Sequence, residues 1–362
     1  MSPRRRRLLR REITLQEAQQ DEGNVLHQLG YFHQQQQFFS FLESQATWIR
    51  EVVAHHLATS PSAVSVAEQD EWLHRSFNVL GHSRVIFRVP LPHRIGEAKN
   101  CLDVPIPKLY GFGLATGVTF TYRANLPFLP RCIHTFPHWF RSLLHLPTPS
   151  RYLRNQSSCL NNFKVTPGYM VIELIDTGRM LSTTWAEQSE DSNQRTNLFR
   201  DLARILLSFT RISLPRIGSF AICDNGYIRL ANRPLSLGIQ QLENEGIIVD
   251  IPRHFTYTST YAYAADLLAV KDSRLCHQPN AVNNVGDFSS QTSILATMRM
   301  LPPVYFRREL CRGPFFFTLT DFNRNNIFVD KQWHITALVD LTALVDLEWG
   351  CSLPAEMTRL PH

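Results

Sequence analysis

The order of segment types along the chain predicts an α+β protein with two lobes. Segments rich in β-branched and aromatic residues, which are typical of strands, cluster in the first half of the chain. Apolar residues at helical spacing dominate the second half, and a strand–turn–strand pattern follows a polar loop near its end. A doubly wound sheet would require strands and helices to alternate, so this order favours the α+β class.

Three regions follow from the same patterns. Residues 1–70 are expected to be a basic, disordered start and N-terminal helices, because "RRRRLLRR" is followed by an apolar stripe at helical spacing in "FFSFLESQATWIREVVAHHL". Residues 71–176 are expected to form an N-lobe sheet and an inter-lobe strand, from "SRVIFRVPLP" to "GYMVIELID". Residues 177–362 are expected to form a helical C-lobe with the helix "NLFRDLARILLSFTRI", and to include a hairpin that turns at "DNG".

Composition narrows the class of protein. The chain of 362 residues is 44% hydrophobic and 19% charged, which is ordinary for a globular protein. Part of the net charge of +6 comes from the arginine block, so no specific nucleic-acid partner is expected. Seven scattered cysteines without a CxxC pair, and the lack of a signal peptide, predict reduced thiols and an intracellular, cytoplasmic location. No apolar stretch approaches the roughly 20 residues of a membrane span, and the sequence leaves the oligomeric state open.

The stretch "LTDFNRNNIFVD" is the most informative about chemistry. It places Asp321 five residues before Asn326 and then runs into an apolar strand. A carboxylate can orient a substrate hydroxyl and accept its proton, and oxygen ligands suit a Mg²⁺ ion bound to nucleotide phosphates. The pattern predicts a phosphotransferase loop, and the alternative is a turn pair that bonds its own backbone. The zinc-protease, serine-hydrolase and P-loop signatures are absent from the sequence.

A six-residue phrase occurs twice in "TALVDLTALVDLEWG" and offers two candidates for a second metal-binding carboxylate. Asp340 comes where a simple hairpin after Asn326 would place the ligand, whereas only Asp346 is followed by "LEWG". In one straight strand the two carboxylates would lie about 20 Å apart, so they cannot share an ion. The extra residues are expected to loop out, either at the turn or after the metal site. The sequence favours Asp346 and keeps Asp340 as the alternative.

Segments spread over most of the chain, from about residue 75 to residue 357, resemble the aminoglycoside phosphotransferase family and especially its fungal members. The resemblance rests on "SFNV", "VIFRVPLPHRIGE", "DVPIPKLYGFG", "GYMVIELI", "NRPLSL", "HQPNAVNNVGD", "FTLTDFNRNNIFVD" and "ALVDLEW". It implies a protein-kinase-like fold, with a small β-rich N-lobe that is compressed here. It also implies a mostly helical C-lobe with a late β-hairpin at the catalytic loop.

The resemblance further implies ATP and Mg²⁺ as cofactors, and transfer of a phosphoryl group to the hydroxyl of a small molecule of unknown identity. Asp321 matches the catalytic base of the family and Asn326 matches a metal ligand. Asp346 or Asp340 matches the second metal ligand.

Four further residues match the nucleotide-binding part of the family. Arg88 lies where the family has a basic residue facing the nucleotide phosphates. Glu173 lies on the inter-lobe segment, which contacts adenine through backbone groups. Ser76 and Asn78 in "SFNV" belong to the compressed nucleotide loop.

Several departures from the family pattern predict weakened nucleotide positioning. Leu319 occupies the position of the His that usually opens the catalytic loop. The segment "EAKNCLD" leaves no room for the helix whose Glu holds the basic residue, and the chain stops at His362, where the family commonly continues into further helices. Since positioning is most of what such an enzyme contributes, activity is expected to be impaired. The alternative function is a catalytically inactive, pseudokinase-like binding protein or a truncated remnant.

Overall fold

The computed structural model describes residues 4–9, 11–65, 84–89, 104–114, 116–126, 131, 150–155, 168–175, 177–223, 226–234, 236–319, 323–339 and 343–346. The helices are α1 (Leu15–Gln20), α2 (Val25–Gln28), α3 (Tyr31–Ser44), α4 (Ala46–Leu57), α5 (Leu181–Gln188), α6 (Ser192–Phe209), α7 (Leu237–Asn244), α8 (Thr260–His277), α9 (Val285–Met300) and α10 (Pro302–Tyr305).

The strands are short and belong to several small sheets, which confirms a mixed α+β protein. They are β1 (Arg5–Arg7), β2 (Glu12–Thr14), β3 (Arg84–Val89), β4 (Leu109–Gly113), β5 (Thr119–Tyr122), β6 (Tyr152–Arg154), β7 (Gly168–Glu173), β8 (Arg179–Met180), β9 (Ser213–Leu214), β10 (Ser219–Ile222), β11 (Ile228–Asn232), β12 (Phe315–Leu319), β13 (Ile327–Val329), β14 (Ile335–Leu338) and β15 (Ala343–Asp346). The predicted hairpin around "DNG" is confirmed, because β10 and β11 pair antiparallel.

By its internal contacts the chain divides into two compact units. The helical unit comprises Met1–Ser83, Ser236–Pro252 and Tyr261–Glu309. The sheet unit comprises Arg84–Leu235, Arg253–Thr260 and Leu310–His362. The region boundaries predicted at residues 70 and 176 stay predictions. Within the described residues, no helix combines the length and the apolar character that crossing a bilayer requires.

The described part of the basic start of the chain includes a short hairpin. β1 pairs antiparallel with β2. Leu8 and Ile13 are buried together with Val25, and the guanidinium of Arg7 lies 4.1 Å from the ring centroid of Phe32. Apolar residues within and just after the arginine block therefore pack together beside this hairpin.

The largest sheet of the sheet unit has the strand order β3-β7-β4-β5-β6. β3 and β7 run parallel, while the other neighbours are antiparallel. The register pairs Arg88 with Ile172 and Val89 with Glu173, so β3 and β7 end at the same edge of the sheet. This edge is where the sequence predicted groups that contact a nucleotide.

The core of the sheet unit lies between α6 and the β13–β14 hairpin. Asp191 caps α6 by accepting hydrogen bonds from two backbone amides, Asn193 N at 2.8 Å and Gln194 N at 3.2 Å. The predicted apolar face of this helix is confirmed by the burial of four of its members, Leu198, Leu202, Ile205 and Phe209. They pack with hairpin residues, which are Ile327, Val329, Trp333 and Leu338. This core fixes the hairpin that follows the predicted catalytic loop.

Candidate functional site

The described end of the predicted catalytic loop is a hydrogen-bonded turn. Asn323 Oδ1 accepts a hydrogen bond from Asn325 N at 2.8 Å, and Asn323 O accepts one from Asn326 N at 3.0 Å. Asn326 O accepts a third from Val339 N at 2.9 Å. Asn326 is 6% exposed. Its backbone amide and its backbone carbonyl are both hydrogen-bonded, so the backbone that carries its side chain is fixed on both sides. The hydrogen bonds of the local turn are thus accepted by Asn323, while Asn326 lies directly before β13.

Helix α5 supports the same loop from another side. Arg324 O accepts a hydrogen bond from Ser182 N at 3.1 Å in the first turn of α5. The Arg324 guanidinium lies 5.1 Å from the ring centroid of Trp185, which stacks on Trp333 with a centroid distance of 5.3 Å. Trp333 is fully buried and donates from Nε1 to Gln188 Oε1 at 3.2 Å. A stack of cation, indole and indole therefore connects the loop to the core.

Helix α6 fixes the β13–β14 hairpin through one carboxylate. Asp201 Oδ2 accepts a hydrogen bond from Ile335 N at 3.2 Å and lies 3.0 Å from His334 Nδ1. Asp330 Oδ1 accepts from His334 N at 2.9 Å inside the turn. A site on such a scaffold keeps its geometry better than one on a loop alone.

The two copies of the repeated phrase form two different strands. Leu338, in the first copy, pairs with Ile327 in the β13–β14 ladder. In the second copy, β15 pairs with β12, with Ala343 opposite Leu319 and Asp346 opposite Phe316. Neither predicted arrangement, with the extra residues looped out at the turn or after the metal site, includes this second strand.

The two candidate carboxylates therefore differ in their relation to the two strand pairs. Asp346 is paired at the far end of the β12–β15 ladder, three positions from Ala343, which is about 10 Å along a strand. Asp340 lies outside the described residues, as do Asp321, Ser76 and Asn78. In sequence Asp340 follows Val339, whose amide donates to Asn326.

The segment 104–108, "VPIPK", bridges the large sheet and the hairpin. Pro105 O accepts a hydrogen bond from Leu338 N at 2.8 Å, and Val104 is buried in the core beside the hairpin. At its other end, Lys108 O accepts from Glu173 N at 2.8 Å, while Glu173 Oε2 accepts from Lys108 N at 3.1 Å. The end of β7 is thus connected to the β13–β14 hairpin through one five-residue segment.

Glu173 has a structural role in this arrangement. Its carboxylate closes the junction with Lys108, as a strand-end acid can do without any ligand. The Lys108 ammonium lies 5.0 Å from the ring centroid of Tyr122 and 5.5 Å from that of Tyr110. Burial, with a smaller contribution from Glu173, raises the pKa of Tyr110 to about 12. The raised pKa keeps the Tyr110 phenol in its neutral form over a wider pH range than usual.

The side chain of Asn326 carries an amide oxygen, the kind of donor that a hard cation such as Mg²⁺ binds. Two of the carboxylates that the sequence predicts beside it, Asp321 and Asp340, lie outside the described residues. Among the described residues, no group of three His, Cys, Asp or Glu side chains could hold a metal ion.

Sequence reasoning missed residues that act through the backbone. Pro105, Ser182 and Asp201 position the loop and its hairpin, but two of them do so through a carbonyl or an amide that every residue type carries. A signal for Asp201 was present, since it is a partly buried acid on a helix whose neighbouring face is apolar.

We find that the chain matches no family model, no curated protein and no solved structure.

Proposed function

We propose that the chain is an ATP- and Mg²⁺-dependent phosphotransferase of the aminoglycoside phosphotransferase type, with a two-lobed, protein-kinase-like fold. It would transfer the γ-phosphoryl group of ATP to the hydroxyl of a small molecule. The observation that supports this proposal is the pair of ladders around the loop. Leu319 enters the loop paired with Ala343, and Ile327 leaves it paired with Leu338. The loop 320–326 and the connection 339–342 are consequently tethered to each other at both ends.

Within this proposal Asp340 is the second metal-binding carboxylate, because it belongs to the tethered connection. Asp346, which the sequence favoured, lies instead at the end of the β12–β15 ladder that is remote from this connection. Asn326 would provide the other oxygen ligand. Bound Mg²⁺ would supply the positive charge that offsets the negative charge of the nucleotide phosphates.

Asp321 would act on the substrate hydroxyl. Its carboxylate accepts the hydroxyl proton while the hydroxyl oxygen bonds to the γ-phosphorus and the bond from that phosphorus to the leaving oxygen of ADP breaks. Arg88 would face the phosphates from the edge of the sheet, beside the position of Glu173. The Lys108 ammonium adds a second positive charge near this edge.

The experiment is calorimetric titration of the full chain with ATP in the presence of Mg²⁺, followed by a measurement of ATP consumption. We expect saturable binding that is lost without Mg²⁺, and at least about tenfold weaker binding in Asn326→Ala. Asn325→Ala is the matched control, since its side chain is exposed and its bond to Asn323 uses the backbone amide. Asn326→Asp keeps an oxygen ligand and should retain Mg²⁺-dependent binding.

The outcomes separate the two functions that the sequence leaves open. No Mg²⁺-dependent binding of ATP by the folded wild-type chain would refute the phosphotransferase. Binding without consumption of ATP, across a panel of small alcohols, would favour the pseudokinase-like binding protein.

A further inference from the structure

A cavity of about 660 Å³ lies inside the helical unit, between α8, α9 and α10. This volume is within the range of pockets that bind small molecules, which runs from about 300 to 1,000 Å³. Most of its lining is apolar, with Leu267, Leu268, Ile294, Leu295 and Met298 among the contributors. These residues recur at helical spacing on α8 and α9, so the cavity follows the two helices along their length.

One end of the cavity is lined by polar side chains, which are Lys271, Arg274 and Gln291. Arg274 donates to Glu22 O at 3.0 Å and lies 4.0 Å from the Glu22 carboxylate. Gln291 donates to Ala281 O at 3.0 Å and to Asp287 Oδ1 at 2.9 Å. Lys271 is exposed, and within the described part of the chain no carboxylate forms an ion pair with it. Of the two cationic side chains at this end, Lys271 is therefore the one that remains to pair with an anionic ligand.

The other end of the cavity is apolar and faces water. Leu301, Pro302, Tyr305 and Phe306 line it, and Leu301 and Tyr305 are 48% and 54% exposed. From Ala264 at this end to Arg274 at the other, the α8 face runs about 15 Å at 1.5 Å per residue. Exposed apolar surface of this kind gains free energy when a ligand covers it.

We propose that this cavity binds a single-chain carboxylic acid, with the carboxylate at Lys271 and an acyl chain of roughly ten carbons along the apolar run from Lys271 to Ala264, about 10 Å on α8, and on toward Tyr305. The ammonium group of Lys271 favours an anionic head group. Because the polar residues lie at one end of the cavity and the rest of its lining is apolar, a linear tail fits the remainder. The proposal is independent of ATP and of the sheet unit.

The test is calorimetric titration of the full chain with decanoate near neutral pH, with decanol as the uncharged comparison. We expect one saturable equivalent of decanoate, and weaker binding of decanol. Lys271→Gln should weaken decanoate binding about fivefold, the effect of one partly exposed ion pair. Met298→Asp should weaken it more, about tenfold or beyond, because it places a charge against the acyl chain.

Two variants serve as matched controls. Met300→Asp introduces the same charge on the same helix at a residue that does not line the cavity and is 77% exposed. Lys331→Gln removes a lysine from the sheet unit. Both should bind decanoate like the wild type. The inference is overturned by the absence of saturable decanoate binding, by equal binding of decanol, or by equal losses in Met298→Asp and Met300→Asp.

Discussion

The two copies of the phrase "TALVDL" have identical letters but different structural environments. In the first copy, Leu338 is 1% exposed and packs in the core of the sheet unit. It belongs to a strand that pairs with β13, whereas the second copy pairs with β12. Strand formation depends on the partner that a segment meets, and a six-residue phrase does not specify that partner.

The same difference separates the two aspartates. Asp346 is the last residue of its strand, while Asp340 comes two residues after its strand has ended. The amide of Val339, between strand and aspartate, donates to the carbonyl of Asn326. Function at this site would follow from position relative to Asn326, so one copy can be functional while its duplicate is not.

The largest expected effect concerns the strand of the first copy. Leu338→Ala should lower the free energy of unfolding by about 2–5 kcal/mol, because it opens a cavity in a filled core. Leu207→Ala, at a residue of α6 that is 53% exposed, is the matched control and should cost about 0.5 kcal/mol or less. Urea denaturation of both variants measures the difference. Equal losses would contradict the packing of Leu338 in the core.

The helical unit contains neither copy of the phrase, and its stability is expected to depend on pH through His56. Burial, with a smaller effect of neighbouring His55, lowers the pKa of His56 to about 3. The unfolded chain then binds a proton near pH 6.5 that the folded chain does not, so stability is present above that pH and is lost as the pH falls.

Between about pH 7 and pH 5 the loss should be about 2 kcal/mol. His56→Gln should flatten this part of the stability profile in urea denaturation at a series of pH values. His277→Gln, at an exposed position, should leave the profile as it is in the wild type. A wild-type slope that survives in His56→Gln would mean that other groups are responsible.

A smaller effect is expected where α6 contacts the start of β14, the strand that contains part of the first copy. Asp201→Ala removes the acceptor of Ile335 N at the start of β14 and should cost about 1–2 kcal/mol. Arg204→Ala, the matched control, breaks only an ion pair to the same Asp201 whose arginine side chain is 70% exposed, and should cost at most about 0.5 kcal/mol. Thermal or urea unfolding measures both, and a larger loss in Arg204→Ala would reject the structural role of Asp201.

Much of the fold could be predicted where side chains carry the signal. The amphipathic pattern of α6, the apolar run of β7 and the "DNG" hairpin all occur close to their predicted positions. Each follows from periodicity or turn chemistry within a short window. The mixed α+β class followed from the order of these segments.

The rest depends on contacts between distant segments. The bonds that connect Pro105 to Leu338 and Lys108 to Glu173 are made mostly by the backbone, which leaves no trace in the residue types. The second strand of the repeat also depends on β12, which precedes it by more than twenty residues. The nucleotide-binding role expected of Glu173 stays a prediction, and its carboxylate accepts a hydrogen bond from the backbone amide of Lys108.

We propose that the first copy of the repeat, and not the second, contributes to a metal site beside Asn326. Calorimetric titration with ATP and Mg²⁺ on Asp340→Ala and Asp346→Ala tests it most directly. We expect Asp340→Ala to weaken binding by about tenfold or more, as for a lost metal ligand, and Asp346→Ala to stay within about twofold of the wild type. The reverse order of effects, or equal affinity in both variants, would contradict it.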